Sequence, residues 1–147
     1  MNRILHATDF SPASRAAFRK AIELAKGDRA ELVIAHVLAP VMPPAVDGAY
    51  VSPKVYEEMD AASRRYGTRH LDALVKAARK AGVRARALLL DGVAHDRIVA
   101  AAKKVGARMI VMGTHGRSGL ARFVLGSVAS RVVSHARCPV LTVRGGK

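Results

Sequence analysis

The stretch RILHATDFSPASRAAFRKAIELAKGDRAELVIAHVLA, residues 3–39, decides the fold because it alternates two structural periods. RILHATD (3–9) is a short apolar strand. ELVIAHVLA (31–39) is a second strand with Val, Leu and Ile at consecutive positions, which is typical of a strand buried on both faces of a parallel sheet. Between them Ser11, followed by a proline, has the residue type of a helix cap, and Gly27 is typical of a helix end. These residues predict a strand, a helix and a second strand.

The same alternation continues through the rest of the chain. PVMPPAVDGAYV (40–51) contains three prolines and a glycine, so we expect it to form the long loop of the molecule. The elements predicted after it are a helix from Ser52 to Gly82, a strand over 83–92, a helix over 94–106, a strand over 108–113, a helix over 127–137 and a strand over 138–144. Five strands alternating with four helices predict an α/β fold, an open doubly wound five-stranded parallel sheet flanked by helices.

Length and composition predict one domain over residues 1–147, since the chain has 147 residues and is 50% hydrophobic. Its apolar runs are interrupted well before the ~20 residues that a bilayer crossing needs, and no signal-peptide core precedes the first strand. We therefore expect a cytoplasmic protein without a membrane segment. The single cysteine, Cys138, excludes a disulfide framework and is predicted to be an inert small apolar residue at the start of a buried strand.

The net charge of +14, from 25 Lys and Arg against 11 Asp and Glu, would attract phosphates, nucleic acid or acidic lipid. Many of these residues fall at helical spacings typical of solvated outer faces. Three Phe, three Tyr and no Trp offer few stacking platforms, so we do not expect dedicated nucleic-acid binding. The histidines form no i, i+4 pair and predict no metal site. His6 and His36 fall within strands and are predicted to pack in the core.

A ligand is expected beyond the carboxyl ends of the strands, where the strand order reverses. The loops after the first and fourth strands, TDFSPAS (8–14) and GTHGRSGLARFVLGS (113–127), are natural neighbours at that point. Asp9 follows the first strand directly, and its carboxylate is suited to accept hydrogen bonds from a ribose or a base.

The second loop offers bare backbone. Gly113 and Gly116 are predicted to leave the fourth strand with positive φ and to bring N–H groups close to a ligand. Gly126 and Ser127 begin a helix, whose N-terminus favours an anion, and the serine hydroxyl either caps the helix or donates to a phosphate oxygen. This loop has the composition of a phosphate cradle, although it matches neither the Walker A nor the dinucleotide pattern. Glycines that serve only tight turns remain the alternative.

The ending IVMGTHGRSGLARFVLGSVASRVVSHARCPVLTVR (110–144) resembles the universal stress protein family, and in particular its ATP-binding branch, whose signature is G-2x-G-9x-G-[ST]. Gly113, Gly116, Gly126 and Ser127 match that signature position for position. The opening ILHATDFSPAS resembles the family's first strand, which gives Asp9 a contact to the adenosine part. The nucleotide-binding residues that the resemblance implies are Asp9, Val37 in the adenine pocket, Met112, Gly113, Gly116, Gly126, Ser127 and Val128.

Two arginines in the loop add to this expectation, because Arg117 and Arg122 could neutralise β- and γ-phosphates, though both are equally compatible with a solvated position. Two departures from the family pattern are Ala94, where a proline is frequent, and Arg108, where an Asp is frequent. Neither touches the phosphate signature.

The resemblance implies an ATP-binding protein that acts as a dimeric, nucleotide-dependent sensor or regulator in stress response. The homodimer would form through antiparallel pairing of the last strands, VLTVR (140–144), which would also cover an apolar sheet edge. His115 and Asp9 are placed for at most slow ATP hydrolysis, with Mg²⁺ held through the Ser127 hydroxyl. The alternative is an interaction module of the same fold that binds no nucleotide and selects an acidic partner through its basic surface.

Overall fold

The computed structural model describes residues 1–41, 51–116 and 124–145, and strands and helices alternate strictly along them. The strands are β1 (Arg3–Ala7), β2 (Glu31–Leu38), β3 (Ala85–Asp91), β4 (Met109–Gly113) and β5 (Val140–Val143). The helices are α1 (Pro12–Gly27), α2 (Pro53–Lys80), α3 (Ala94–Val105) and α4 (Ser127–His135). Every predicted element is present. Of the predicted long loop over 40–51, residues 42–50 lie outside the described part of the chain.

The five strands form one sheet in the order β3-β2-β1-β4-β5, and every pair is parallel. Ile4 of β1 lies opposite Leu32 of β2 on one side and Met109 of β4 on the other. The chain builds outward from β1 first towards β3 and then towards β5, so the order reverses between β1 and β4. This confirms the predicted doubly wound sheet and the predicted neighbourhood of the loops that follow β1 and β4.

Two hydrophobic clusters cover the two faces of the sheet, because successive side chains of a strand point to opposite faces. Ile4 belongs to the cluster that α1 and α2 cover, and Leu5 belongs to the cluster that α3 and α4 cover. The first cluster includes Phe18, Ala21, Leu32, Ile34, Leu71 and Val75. The second includes Val33, Ile98, Ala102, Ile110 and Val132. Burial on both faces explains why the strands read as continuous apolar runs.

Local signals in the sequence set the helix boundaries. The Ser11 hydroxyl accepts a hydrogen bond from the Ser14 amide at 3.2 Å, and proline follows at the first helical position of α1. Helix α3 ends before Gly106, which has the left-handed conformation with φ of 63°. Within α2, Gly67 is buried where the helix contacts the sheet, and a Cβ there would lie 3.0 Å from Leu89 Cδ1. No helix in the described ranges combines the length and the apolar character that a membrane crossing requires.

Candidate functional site

A cleft of about 260 Å³ lies at the carboxyl ends of β1 and β4, where the strand order reverses. Its walls come from the β1–α1 turn, the end of β2, the start of α3, the end of β4 with the loop after it, and the first turn of α4. The sequence-predicted residues that line it are Asp9, Val37, Met112, Gly113, Gly116, Gly126, Ser127 and Val128. The ninth predicted residue, Arg117, and its neighbour Arg122 lie in 117–123, outside the residues that the structure describes.

Hydrogen bonds within the β1–α1 turn fix one wall of the cleft. The hydroxyls of Thr8 and Ser14, both buried, share a hydrogen bond of 2.5 Å, and Thr8 Oγ1 also accepts from the Phe10 amide at 3.0 Å. Asp9 Oδ1 accepts from the Ser11 amide at 2.9 Å, the local bond that Asp makes in turns. Phe10 between them has a positive φ of 64°. The carboxylate of Asp9 is therefore held at the cleft by its own turn.

Two glycines of the second loop, Gly113 and Gly116, lie in close contact with the β1–α1 region. Neither Gly113 nor Gly116 has a positive φ, so the prediction of a left-handed exit from the strand is wrong. A Cβ on Gly113 would instead lie 3.1 Å from the carbonyl carbon of Ala13, and one on Gly116 would lie 3.0 Å from Asp9 Oδ2. The missing Cβ atoms let the end of β4 approach α1 and the Asp9 carboxylate, and this close approach brings the two loops together.

Gly126, at the other end of the loop, makes a close contact with the residues that follow β4. Its amide donates to the Thr114 carbonyl oxygen at 2.7 Å, and a Cβ on it would lie 3.1 Å from that oxygen. Gly126 is the N-cap of α4 and supplies no side-chain cap, while Ser127 is the first helical residue. Of the two alternatives predicted for the Ser127 hydroxyl, the helix cap is therefore wrong, and its exposed side chain lies at the cleft. The amides at the start of a helix have no intrahelical acceptor, so this end of α4 suits an anion.

His115 presents an unsatisfied polar atom beside this helix start. Its Nδ1 lies 2.9 Å from Thr114 Oγ1, while Nε2 is buried and has no hydrogen-bond partner among the described residues. The imidazole lines the cleft together with Gly116 and Gly126. A buried ring nitrogen without a partner is costly in a folded chain, so its position is consistent with a ligand that supplies the missing hydrogen bond.

His36 differs from its predicted place in the core. The side chain is half-buried and lines the cleft, its Nδ1 donates to the Thr8 carbonyl oxygen at 2.8 Å, and its ring lies 4.4 Å from that of Phe10. The prediction is right for His6, which is completely buried. The sequence reasoning also missed lining residues whose only signal is their position near the end of a strand or the start of a helix. They are Ala7, Thr8, Ser14, Ala35, Ala94, Ile98, Thr114 and Ala129.

Cys138 lies away from the cleft, directly before Pro139 and β5. It is half-buried against the cluster that α3 and α4 cover, and burial raises the pKa of its thiol. A raised pKa favours the protonated thiol. In the described ranges no group of three or more His, Cys, Asp or Glu side chains is placed to hold a metal ion.

Comparisons with known proteins point to one family. The sequence profile of the universal stress protein family matches residues 1–144. A universal stress protein of Methanocaldococcus jannaschii is 37% identical over 99% of this chain and 83% of its own length. The universal stress protein YxiE of Bacillus subtilis is 36% identical over 97% of this chain and 99% of its own. A solved structure of the universal stress protein from Archaeoglobus fulgidus in complex with dAMP is 27% identical and has a TM-score of 0.69, with 97% of this chain and 98% of that chain covered.

Proposed function

Because this chain belongs to the universal stress protein family, we propose that it binds an adenine nucleotide, ATP in the first place, in the cleft between β1 and β4. The observation that carries the proposal is that residues from both ends of the signature loop line the same cleft as Asp9. The complex of the Archaeoglobus fulgidus relative with dAMP supports an adenine nucleotide as the class of ligand.

In this proposal the two sides of the cleft bind different parts of the ligand. The first turn of α4, with Ser127 and Val128, binds the phosphates through its amides and the positive end of the helix dipole. Asp9 accepts hydrogen bonds from the adenosine part, and Val37 and Met112 supply apolar contacts to the base. The Ser127 hydroxyl is a hard oxygen donor of the kind that Mg²⁺ takes when it accompanies a triphosphate.

We infer that the protein is a nucleotide-dependent sensor or regulator in stress response, with at most slow ATP hydrolysis. Phosphoryl transfer needs a positioned base or a residue that orients water. Among the described lining residues Asp9 is the one carboxylate, and its Oδ1 already accepts the Ser11 amide. His115 is the candidate closest to the loop that would bind the phosphates, and it lies next to Thr114 rather than next to a carboxylate that would orient it.

We further propose that two copies pair through β5, which lies at one edge of the sheet. The carbonyl oxygen of Pro139 accepts a hydrogen bond from Ile110 of β4, and that of Val143 accepts one from Thr114 directly after β4. The N–H and C=O groups of successive residues in a strand point to opposite sides. The backbone groups of Val140 and Thr142 therefore point away from β4. An edge that exposes such groups is a template for pairing with another strand. Antiparallel pairing of two β5 strands satisfies these groups in a homodimer.

The test begins with protein purified without added nucleotide. We expect denaturation to release an adenine nucleotide, and we expect calorimetry of the emptied protein to show ATP binding. Gly126→Asp should abolish this binding, because its Cβ would lie 3.1 Å from the Thr114 oxygen and its carboxylate would repel phosphate. Ser130→Asp is the matched control, since it adds the same charge to an exposed position of α4 that does not line the cleft. Wild-type protein that releases no nucleotide and shows no heat with ATP would disprove the proposal.

A further inference from the structure

Every strand of the sheet has an arginine at its amino end. Arg3 begins β1, Arg84 and Arg108 directly precede β3 and β4, and Arg29 and Arg137 precede β2 and β5 by two and three residues. Because all five strands are parallel, these residues, which we name the arginine row, lie at the amino-terminal end of the sheet, opposite the cleft. The arginine row is independent of the proposed nucleotide site.

The order of the strands sets the geometry of the arginine row. In spatial order from β3 to β5, the five arginines are Arg84, Arg29, Arg3, Arg108 and Arg137, one for each strand. The backbone of Arg108 donates to that of Arg3 at 2.9 Å, and the register places Arg3 opposite Glu31, two residues after Arg29. Strands lie about 4.8 Å apart, and the row therefore spans about 19 Å. Four of the five side chains are exposed, and Arg3 is half-buried.

The helices add further positive charge to the same end of the molecule, because each helix returns antiparallel to the strands and ends there. The last turns of α1, α2 and α3 all carry basic residues. With the arginine row and Arg86 of β3 they make eleven basic side chains against two carboxylates. The eleven are Arg3, Lys26, Arg29, Arg79, Lys80, Arg84, Arg86, Lys103, Lys104, Arg108 and Arg137, and the carboxylates are Asp28 and Glu31.

The two carboxylates neutralise only part of this charge. Glu31 pairs with Arg3 at 2.9 Å and with Arg86 at 3.2 Å, and Asp28 pairs with Arg108. Within the described ranges the remaining cations of this end, among them Arg29, Arg84 and Arg137, form no ion pair. The helix dipole accounts for basic residues in the last turn of a helix. It does not account for an arginine at the start of every strand.

We propose that the arginine row binds the phosphate backbone of a nucleic-acid duplex without reading its sequence. A duplex carries one negative charge per about 1.7 Å of its axis. An arginine row of about 19 Å therefore faces about five to six base pairs. Arginine forms bidentate hydrogen bonds to phosphate. The composition argues against nucleic acid only where stacking on unpaired bases is needed. Contacts to the phosphates of a duplex need no aromatic side chain.

The chemistry of this end favours a duplex over its competitors. The segments that form it, residues 1–3, 26–31, 79–86, 103–108 and 136–138, contain no Phe, Tyr or Trp to stack on a single strand. Met1 is the one large hydrophobic residue in these segments that is exposed. A membrane-bound surface would combine basic residues with several apolar side chains that enter the lipid.

The test measures binding of a fluorescent DNA duplex of about 20 base pairs over about 50 to 200 mM salt. Arg84→Glu with Arg137→Glu should weaken binding at least tenfold and lower the slope of log K against log salt by about two. Arg65→Glu with Arg69→Glu is the control, since it changes net charge equally at exposed positions in the middle of α2. The affinity of the control for the duplex should stay within about threefold of that of wild type, because salt largely screens charges that lie far from the bound DNA.

Several outcomes would overturn the proposal. Equal losses in both double variants would mean that only net charge matters. Tighter binding to the unpaired strand, binding to phosphatidylglycerol vesicles but not to DNA, or no duplex binding at the lowest salt would each exclude a duplex site. If the double variant Arg84→Glu with Arg137→Glu fails to fold, the double variant Arg84→Gln with Arg137→Gln is measured instead. Its control is then Arg65→Gln with Arg69→Gln. Gly126→Asp should bind the duplex like wild type, so this test can fail independently of the nucleotide proposal.

Discussion

His6 is a completely buried imidazole in the central strand of the sheet. Its Nδ1 donates to the Val111 carbonyl oxygen at 3.1 Å, its Nε2 has no partner among the described residues, and its ring lies 5.6 Å from that of Phe18. Burial lowers its pKa to about 4, against the opposing effects of the Val111 hydrogen bond and the Asp9 charge. The folded protein therefore holds this histidine neutral in conditions where the unfolded chain protonates it.

This shift predicts a loss of stability in acid. Above pH 6.5 His6 is neutral in both states and costs nothing, whereas between pH 6.5 and 4 the unfolded state alone binds the proton. The loss is complete below pH 4 and amounts to about 3 kcal/mol, at 1.36 kcal/mol per pKa unit. Urea unfolding across this range should show a flatter pH dependence for His6→Gln than for wild type. His135→Gln, which changes an exposed histidine, should follow wild type; if all three curves are parallel, His6 does not carry the effect.

His115 gives a second prediction at this scale, which rests on the proposed nucleotide site. Its buried Nε2 lacks a partner and lines the cleft beside the start of α4, so a phosphate oxygen is the expected acceptor. Hydrogen bonds to charged groups contribute about 1.5–3 kcal/mol, and His115→Leu should weaken ADP binding at least tenfold. Adenosine lacks the phosphates, and calorimetry should find its affinity unchanged. An equal loss for both ligands would indicate that the substitution disturbs the cleft as a whole.

Contact between α1 and the end of β4 is the element-scale feature on which the cleft depends. A Cβ at Gly113 would meet backbone atoms, the Ala13 carbonyl carbon at 3.1 Å and the Ser14 amide nitrogen at 3.2 Å. Backbone atoms at the start of a helix cannot rotate away as the end of a side chain can. The helix itself would have to move, and with it the hydrogen bond between Ser14 and Thr8 that holds the β1–α1 turn.

We therefore predict that Gly113→Ala destabilises the protein by about 1–3 kcal/mol, the usual cost of overpacking. Gly27→Ala is the control, because a Cβ at the last residue of α1 meets nothing within 4 Å and alanine favours helix. That variant should be as stable as wild type or slightly more stable in chemical denaturation. Equal stabilities of the two variants would show that the close approach of β4 to α1 is not constrained.

The order of helices and strands could be predicted from the sequence because helix caps and helix breakers are local signals. The ends of the strands depend on hydrogen bonding to neighbouring strands and turns. The strand predicted from Cys138 begins at Val140, after a proline that has no N–H for the ladder. The predicted strand over 3–9 ends at Ala7, because Asp9 already forms its turn with Ser11.

The site residues that belong to a sequence motif could be predicted. Residues that line the cleft only because of their place at the end of a strand or the start of a helix were missed. The loop glycines and Asp9 carry a pattern, but the contact that requires Gly113 involves Ala13, one hundred residues earlier in the chain. No local spacing reveals such a contact, and this is why the expected positive φ was the wrong reason. The prediction for His36 was wrong for a similar reason, since the cleft that it lines forms only when β1 lies between β2 and β4 in the sheet.

At the scale of the whole molecule, the parallel sheet separates two kinds of surface. Strand carboxyl ends and helix N-termini meet at the cleft, whereas strand amino ends and basic helix ends meet at the arginine row. The proposed nucleotide site and the proposed duplex site thus lie at opposite ends of the strands. Among the described residues, eleven basic side chains and two carboxylates therefore lie at the end of the sheet away from the cleft.

The remaining surface is the edge at β5, where the proposed homodimer can be tested through one backbone group. The Thr142 amide points away from β4, so Thr142→Pro removes a donor of the free edge and leaves the ladder to β4 intact. Light scattering should give twice the 15.6 kDa chain mass for wild type and the single mass for Thr142→Pro. Thr142→Val keeps the N–H and should remain dimeric, which separates the backbone from the side chain. A monomeric wild type, or a Thr142→Pro variant that stays dimeric, would exclude pairing through this edge.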